Sequence, residues 1–143
     1  TGVLEDVRIS EPYSIYDRFD YGIPVGTNGD CWDRYYVRLE EMRQSIRIIE
    51  QAMEQMMPGE TMAKVRRITR PPKGESYVRT ESPRGDFAVF VVSDGTEHPY
   101  RVKVRAPSFA NLQALQHLLR DAYVADAVVI LGSIDIVLGE VDR

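Results

Sequence analysis

The sequence predicts an α+β domain: a long bundle helix, a small antiparallel sheet and C-terminal helices. Three observations favour this class: an apolar stripe with helical spacing, strand-like segments rich in Val and Phe, and a second apolar helical region near the C-terminus. With 143 residues, the chain is long enough to bury one sizeable core. We therefore expect one domain, 1–143.

The composition excludes several classes of protein. A hydrophobic content of 43% with 28% charged residues is typical of a globular chain. The net charge of −4 argues against nucleic-acid binding through phosphate contacts. The single cysteine, Cys31, excludes an internal disulfide and fits a reducing compartment. No apolar stretch reaches the length of a membrane span. The start lacks a signal peptide and a Met, so we expect a piece of a longer chain.

Residues 1–29 are rich in Gly, Pro, Tyr and Asp and show no clear periodicity. We predict an ordered, extended loop. Loops of this length are unusual inside a compact domain, so we expect the segment to pack against another part of the protein.

The clearest periodicity lies in 30–57, which we predict to be one long helix. The apolar positions, at alternating steps of four and three, are Tyr35, Leu39, Met42, Ile46, Ile49, Met53 and Met56. Asp30 is a suitable N-cap, and Pro58-Gly59 should end the helix. We expect the apolar stripe to be buried in a bundle, with Arg38, Glu41, Ser45 and Glu54 on the opposite face. A free-standing coiled coil is disfavoured because the stripe stops at Pro58.

A basic connector follows the helix. It contains Lys64, Arg66, Arg67, Arg70 and Lys73. Two interpretations stay open: a solvated linker, or a contact with an acidic partner or anionic lipid headgroups.

Residues 76–105 are predicted to form a small antiparallel sheet. Its strands are SYVRTES, DFAVFVV and HPYRVKVR. The turn Ser93-Asp94-Gly95-Thr96 predicts a hairpin between the last two strands. In the third strand, alternation predicts a buried face of Tyr100, Val102 and Val104 and a wet face of Arg101, Lys103 and Arg105.

The region 108–143 is predicted to contain the C-terminal helices and the tail. Pro107-Ser108 should open a helix with Ser108 as N-cap. Its expected buried residues are Phe109, Leu112, Leu115, Leu119 and Tyr123. A short apolar helix, ADAVVILG, and the tail DIVLGEVDR follow. Asp135 is the single acid in the apolar run 127–139, and a buried carboxylate needs a partner or takes up a proton.

No motif forms a self-contained active site. GTNGD and PPKGES lack the Gly-Lys-Ser/Thr of a phosphate-binding loop. His98 and His117 are isolated, and no His, Cys and Asp cluster has the spacing of metal ligands. Cys31 has no obvious His or Asn partner nearby, which disfavours a nucleophile. We therefore predict no catalytic and no metal-binding residues.

Three stretches together resemble a known family: PVGTNGDCWDRYYVRLEEMRQSIRIIEQ, ESPRGDFAVFVVSDGTEHPYRVKVRAPSFANLQAL and LGSIDIVLGEVDR. In this order they are similar to the C-terminal third of the 49-kilodalton subunit, or D subunit, of respiratory complex I, the proton-pumping NADH:quinone oxidoreductase. The resemblance runs along nearly the whole chain.

The 49-kilodalton subunit is similar to the large subunit of nickel–iron hydrogenases, so the resemblance implies a C-terminal fragment of a hydrogenase-large-subunit-like fold. Those enzymes end in Ser-x-Asp-Pro-Cys-x-x-Cys. Here Ser133 and Asp135 keep their places, whereas Val137 and Glu140 stand where the cysteines would be. Because thiolates hold the metals of that site, their absence excludes hydrogen chemistry. The resemblance implies that the vacated pocket became the inner end of a quinone cavity, beside an iron–sulfur cluster held by the neighbouring B subunit.

Five residues are the candidate cavity positions: Arg84, Asp135, Val137, Leu138 and Asp142. We expect Arg84, in the Pro-Arg-Gly turn, to pair with Asp135, because a guanidinium bonds a carboxylate through two donors. The resemblance places Val137 and Leu138 near the quinone headgroup as apolar wall, and Asp142 is a weaker candidate. A structural clasp without a role in quinone binding is the alternative for the pair.

The resemblance also implies partners and location. The chain would bind no cofactor itself; flavin and iron–sulfur clusters would lie in partner subunits. Expected partners are quinone, the B and C subunits and the membrane-arm subunit, with only indirect contact to the membrane surface and no nucleic acid. The location would be the peripheral arm, on the cytoplasmic face of a bacterial inner membrane or the mitochondrial matrix side.

The alternative functions are a pure scaffold that does not touch quinone and, excluded by the missing cysteines, a membrane-bound hydrogenase subunit.

Overall fold

The computed structural model describes residues 2–65 and 68–142. Six α-helices and three strands lie in these ranges: α1 Val7–Ser10, α2 Cys31–Gln55, β1 Gly74–Ser82, β2 Gly85–Ser93, β3 Arg101–Arg105, α3 Pro107–Leu112, α4 Leu115–Leu118, α5 Ala127–Ile134 and α6 Leu138–Val141. Short 3₁₀ turns lie at Tyr16–Arg18 and Val124–Asp126. The predicted α+β class is confirmed. No helix in the described ranges is long and apolar enough to cross a membrane.

The sheet has the order β1-β2-β3, and both pairs of strands are antiparallel. Ser82 pairs with Gly85, so Pro83 and Arg84 form a tight two-residue turn, and Gly85 takes a φ of +120°. The predicted turn at Asp94-Gly95 is present, with Gly95 at a φ of +91°. Its loop is longer than expected, because β3 begins only at Arg101.

The basic side of β3 is exposed as predicted, whereas the expected burial of Tyr100 and Val102 is wrong. Tyr100 and Val102 are exposed, and Val104 is half-buried. The described residues place no second layer over this part of the sheet, so alternation gave the two faces without deciding which one is covered.

Helix α2 begins as predicted and ends earlier than expected. The Asp30 side chain accepts a hydrogen bond from the Asp33 backbone N–H at 2.7 Å, which is the geometry of an N-cap. The last helical residue is Gln55, so the helix stops before Pro58-Gly59. Since proline restricts the residues before it, unwinding ahead of Pro58 is expected.

The predicted burial of the α2 stripe is wrong for the part of the chain that is described. Tyr35, Met42, Ile46, Ile49, Met53 and Met56 are each at least 50% exposed, and Leu39 is half-buried. Of the residues expected on the wet face, Glu41, Ser45 and Glu54 are exposed, whereas Arg38 is half-buried and donates a hydrogen bond to the Ser133 carbonyl at 2.8 Å. An amphipathic pattern fixes two faces, and the available partner decides which is buried.

The N-terminal segment, predicted to be an ordered, extended loop, also contains the short helix α1 and a 3₁₀ turn. Asp6 caps α1, because its carboxylate accepts a hydrogen bond from the Arg8 backbone N–H at 2.9 Å. The Glu81 carboxylate of β1 accepts from the Val7 backbone N–H at 2.9 Å. These contacts join the segment to the sheet, as expected for a loop that packs on other parts of the protein.

The C-terminal region contains two corrections. Ala106 is the N-cap residue of α3, and Ser108 lies inside the helix rather than capping it. The expected single helix is broken between α3 and α4, where Gln113 and Ala114 donate to carbonyls three residues back. Of its predicted buried side chains, Leu112 and Leu115 are half-buried, whereas Phe109, Leu119 and Tyr123 are exposed. The short apolar helix is present as α5.

The basic connector is described only in part, because Arg66 and Arg67 lie outside the described residues. Arg70 pairs with Glu97 at 2.8 Å, and Lys64 and Lys73 are exposed. These contacts fit a solvated linker. Binding of the connector to an acidic partner or to anionic lipid headgroups stays a prediction.

The start of α2 depends on Asp33, which is buried and accepts hydrogen bonds from the backbone N–H groups of Asn28, at 2.5 Å, and Gly29, at 3.1 Å. We predict that Asp33→Ala lowers the free energy of unfolding by about 1–3 kcal/mol, because two donors lose their acceptor. Urea unfolding measures this. Glu54→Ala, on the exposed end of the same helix, is the control and should change it by less than about 0.5 kcal/mol. Equal effects of the two substitutions would contradict the role of Asp33 as the acceptor that stabilises the start of α2.

Candidate functional site

The candidate site is built around a sharp reversal of the chain after α5. The helix ends at Ile134, and Asp135 adopts the left-handed conformation, with φ 57° and ψ 54°. Its backbone N–H donates to the Gly132 carbonyl at 3.2 Å. Aspartate is among the few residues that tolerate this conformation. The reversal sends the chain through Val137 into α6.

Arg84 contacts this reversal from the β1–β2 turn. Its Nη2 lies 3.3 Å from Asp135 Oδ2, and its Nε donates to the Asp135 carbonyl at 3.3 Å. The Asn111 side chain donates to the Arg84 carbonyl at 3.0 Å and ties the turn to α3. The two charged side chains are 30% and 41% exposed. The predicted pairing is therefore present, but the pair is partly solvated rather than deeply buried.

A second contact holds the tail to α3. The Glu140 carboxylate accepts hydrogen bonds from the hydroxyl of Ser108 and from the backbone N–H of Ser108, the second at 3.1 Å. Ser108 is fully buried. Because Ala106 supplies no side-chain cap, Glu140 places its charge at the start of α3 in place of a local capping residue.

A third contact comes from α2. Arg34 Nε donates to the Ser133 hydroxyl and Arg38 Nη1 donates to the Ser133 carbonyl, both at 2.8 Å. Ser133 is buried, and its hydroxyl donates to the Ile130 carbonyl at 2.6 Å. The end of α5 is thus held from two sides, by α2 and by the β1–β2 turn.

The other candidate positions lie farther along the tail. The Val137 backbone N–H is 3.4 Å from the Ser108 hydroxyl, and the Val137 side chain is exposed. Leu138 is the first residue of α6 and is 79% exposed. Asp142 is the exposed C-cap of α6. The structure brings Arg84 and Asp135 together, but it places Val137, Leu138 and Asp142 beyond that pair, along the tail.

A cavity of about 870 Å³ lies beside the Arg84–Asp135 pair. Its walls come from α2, the end of α5, the β1–β2 turn and the N-terminal segment. The charged residues that line it include Asp6, Arg8, Arg38, Glu41, Glu81 and Asp135. Val137, Leu138 and Asp142 do not line it. The space is therefore mainly a polar cleft, unlike the apolar pockets that hold most small ligands.

An N-terminal charge cluster forms one wall of this cavity. Arg8 bonds the buried Asp6 carboxylate, with Nη2 to Oδ2 at 2.6 Å, and its guanidinium lies 5.0 Å from the centre of the Tyr21 ring and 5.6 Å from that of Tyr16. The Tyr21 hydroxyl is buried without a hydrogen-bond partner in the described part of the chain. This cluster holds one cation between an acid and two aromatic faces.

Enclosure by the cavity walls shifts the ionisation of several of these groups. Desolvation raises the pKa of Glu81 above its ordinary value, and the hydrogen bond from Val7 opposes the shift. Desolvation likewise raises the pKa of Glu41, against the pull of Arg38 and Arg8. The hydrogen bond to Asp6 raises the pKa of Arg8 further above neutrality. The cavity therefore combines two carboxylates that protonate more readily with a permanently charged arginine.

The sequence did not predict the contacts of Arg34 with Ser133 and of Ser108 with Glu140. These contacts join residues that lie far apart along the chain, which local periodicity does not report. One signal was available: Glu140, like Asp135, is an acid within the apolar tail. In residues 2–65 and 68–142, no group of three or more His, Cys, Asp or Glu side chains is arranged to hold a metal ion.

Comparisons with known proteins agree on one family. The sequence-family model of the respiratory-chain NADH dehydrogenase 49 Kd subunit matches residues 1–73 and 64–143 of this chain. The NADH-quinone oxidoreductase D subunit of Bacillus mycoides (strain KBAB4) is 55% identical over 143 residues, which is 99% of this chain and 39% of that protein. The D subunit of Desulforamulus reducens is 55% identical, and the D 2 subunit of Solibacter usitatus is 51% identical, both over 142 residues. The chain spans about two fifths of the length of these relatives.

The exposure of the Arg84–Asp135 pair predicts a weak interaction. In a double-mutant cycle with Arg84→Ala and Asp135→Ala, we expect a coupling free energy below about 1 kcal/mol, because water screens partly exposed ion pairs. Urea unfolding of the four proteins measures the coupling. A coupling of about 3 kcal/mol, as expected when a deeply buried pair is broken, would contradict the observed exposure.

Glu81 predicts a pH dependence of stability. Its folded-state pKa is raised above the ordinary value of 4.5. At a pH between the ordinary pKa of the unfolded state and the raised pKa of the folded state, the folded state keeps a proton that the unfolded state has lost. The Glu81 carboxyl therefore destabilises the fold as the pH rises through this range. The stability of Glu81→Gln relative to the unmodified chain should therefore increase as pH rises above 4.5. Unfolding free energies measured across this range test it, with Glu75→Gln, exposed on the same strand, as control. Parallel profiles for the two variants would refute it.

Proposed function

Because the chain belongs to the family of the 49-kilodalton subunit of respiratory-chain NADH dehydrogenase, we propose that it forms quinone-cavity wall and subunit-docking surface in an NADH:quinone oxidoreductase. The parent enzyme would pass electrons from NADH through flavin and iron–sulfur clusters to quinone and couple this transfer to proton translocation. The redox groups would lie in partner subunits. The chain itself would shape the site and be inactive alone.

The observation that carries the cavity role is the Arg84–Asp135 contact directly before Val137 and Leu138. A quinone headgroup has carbonyl oxygens that accept hydrogen bonds and an apolar ring. The partly exposed guanidinium of Arg84 is a donor suited to such a carbonyl. The exposed side chains of Val137 and Leu138 offer apolar surface to the ring. Asp142, at the end of α6, is the weakest member of the proposed set.

The docking role is supported by the exposed apolar stripe of α2. A row of large apolar side chains along a 25-residue helix is typical of a surface covered by another protein segment. We propose that this and neighbouring surfaces face other parts of the 49-kilodalton subunit, the B and C subunits and the membrane-arm subunit. The chain would then belong to the peripheral arm, on the cytoplasmic face of a bacterial inner membrane or the matrix side in mitochondria.

A scaffold without quinone contact is the second candidate function. It is favoured by the position of Val137 and Leu138 outside the walls of the large cavity. In that case their exposed side chains would pack against a neighbouring subunit, and the Arg84–Asp135 pair would be a structural clasp.

Asp135→Asn in the full-length subunit of the assembled enzyme tests the cavity role. We expect the KM for quinone to rise or turnover to fall by about tenfold, because a small displacement of a positioning group is costly. Electron transfer to an artificial acceptor upstream of quinone should be retained and shows that the enzyme is assembled. Asp17→Asn, an exposed residue in the N-terminal segment, is the control.

Photolabelling with a quinone analogue provides the second measurement. Label in residues 133–143, displaced by excess quinone, is the expected result. The cavity role is wrong if the tail takes no label and Asp135→Asn lowers stability while leaving quinone affinity and turnover intact.

A further inference from the structure

The end of α5 carries more positive charge than its own sequence supplies. The last turn of α5 contains no basic residue. Nevertheless Arg38 donates to the Ser133 carbonyl and Arg84 to the Asp135 carbonyl. The final carbonyls of a helix lack partners within the helix, and cations there are favourable. Side chains from two other elements therefore complete this helix end.

The reversal that follows needs support from outside. Asp135 has a φ of 57°, a region that residues other than glycine seldom occupy. Such conformations persist when surrounding contacts determine them. The candidates for this support are Arg84 from the sheet and the pair Arg34 and Arg38 from α2.

The distances favour α2 over the sheet as the stronger support. Both α2 contacts to Ser133 measure 2.8 Å, whereas the contacts of Arg84 to Asp135 measure 3.3–3.4 Å. Charge-assisted hydrogen bonds of about 2.7–2.9 Å are the strong ones. Ser133 is 7% exposed, so its bonds are shielded from water better than those of the Arg84–Asp135 pair.

The guanidinium of Arg34 is itself fixed. Its Nη1 donates to the Gly29 carbonyl at 2.7 Å and its Nη2 to Cys31 Sγ at 3.3 Å, while Nε bonds Ser133. Arg34 and Arg38 are four residues apart and hence lie on the same face of α2. Two neighbouring side chains of one rigid helix thus reach the hydroxyl and the carbonyl of the same serine.

From this arrangement we propose that Arg34 and Arg38 are positioning residues that set where Asp135 and Val137 lie relative to bound quinone. The inference rests on the proposed quinone role of the tail. Neither arginine touches quinone in this proposal; both act through Ser133. Their loss would let the reversal relax, so quinone binding would weaken before the assembly of the enzyme is affected.

The test uses Arg38→Ala, Arg38→Lys and Ser133→Ala in the full-length subunit of the assembled enzyme, with a water-soluble quinone as substrate. We expect Arg38→Ala to raise the KM for quinone by about tenfold with a smaller change in kcat, the pattern of lost positioning in binding. Arg38→Lys should restore most of the affinity, since an ammonium still donates to the Ser133 carbonyl. Ser133→Ala removes the acceptor of Arg34 and should also raise the KM.

Arg43→Ala is the matched control, because Arg43 lies on the same helix and pairs with Glu40 on the surface. Activity with the upstream acceptor reports assembly; if Arg38→Ala fails to assemble, the KM of Ser133→Ala decides. The inference is overturned if Arg38→Ala and Ser133→Ala match Arg43→Ala while Asp135→Asn alters the KM or residues 133–143 take the quinone label. A fall in kcat at constant KM would overturn it as well. If Asp135→Asn also has no effect and residues 133–143 take no quinone label, the proposed function itself fails.

Discussion

Hydrogen bonds between charged side chains and polar groups far away in the sequence hold the elements of this chain together. Few hydrophobic residues are buried in the described part of the chain, and two of them are alanines: Val7, Ala88, Ala106 and Ile130. In contrast, the longest-range contacts are polar. They link Glu81 to α1, Arg34 and Arg38 to α5, Arg84 to Asp135, and Glu140 to α3. Because a bond to a charged group contributes about 1.5–3 kcal/mol at most, the arrangement depends on several such bonds acting together.

Much of the fold was predictable, because local patterns determine local structure. The spacing in α2, the alternation in β3 and the Asp-Gly turn each predicted an element that is present. The buried faces were not predictable from those patterns. The stripe of α2 is exposed while Arg38 points inward, since burial is decided by the surfaces that are available and not by periodicity. The break between α3 and α4 was also missed, as no Gly or Pro marks it.

The candidate site was predicted in part: the Arg84–Asp135 pair was expected from the sequence, whereas the Ser108–Glu140 contact was not. Asp135 was conspicuous because a single carboxylate in an apolar run requires a partner, and Arg84 was the suitable donor in a tight turn. The contact between Glu140 and Ser108 was not predicted, because serine after proline suggests a local N-cap. In fact an acid from the far end of the chain supplies that charge. The quinone role of Val137, Leu138 and Asp142 stays a prediction.

Helix α2 carries two sets of contact residues, and together they constrain how the chain can vary among relatives. One row of side chains forms the apolar stripe, and Arg34 and Arg38, which border this row, hold Ser133 through two bonds of 2.8 Å. A shift of α2 along its axis by one residue, about 1.5 Å, would break both bonds. Any neighbour that packs on the stripe therefore fixes the register of the helix and, through it, the tail. Substitutions in the stripe and in the segment around Ser133 are accordingly expected to covary, because both contacts fix the position of the same helix.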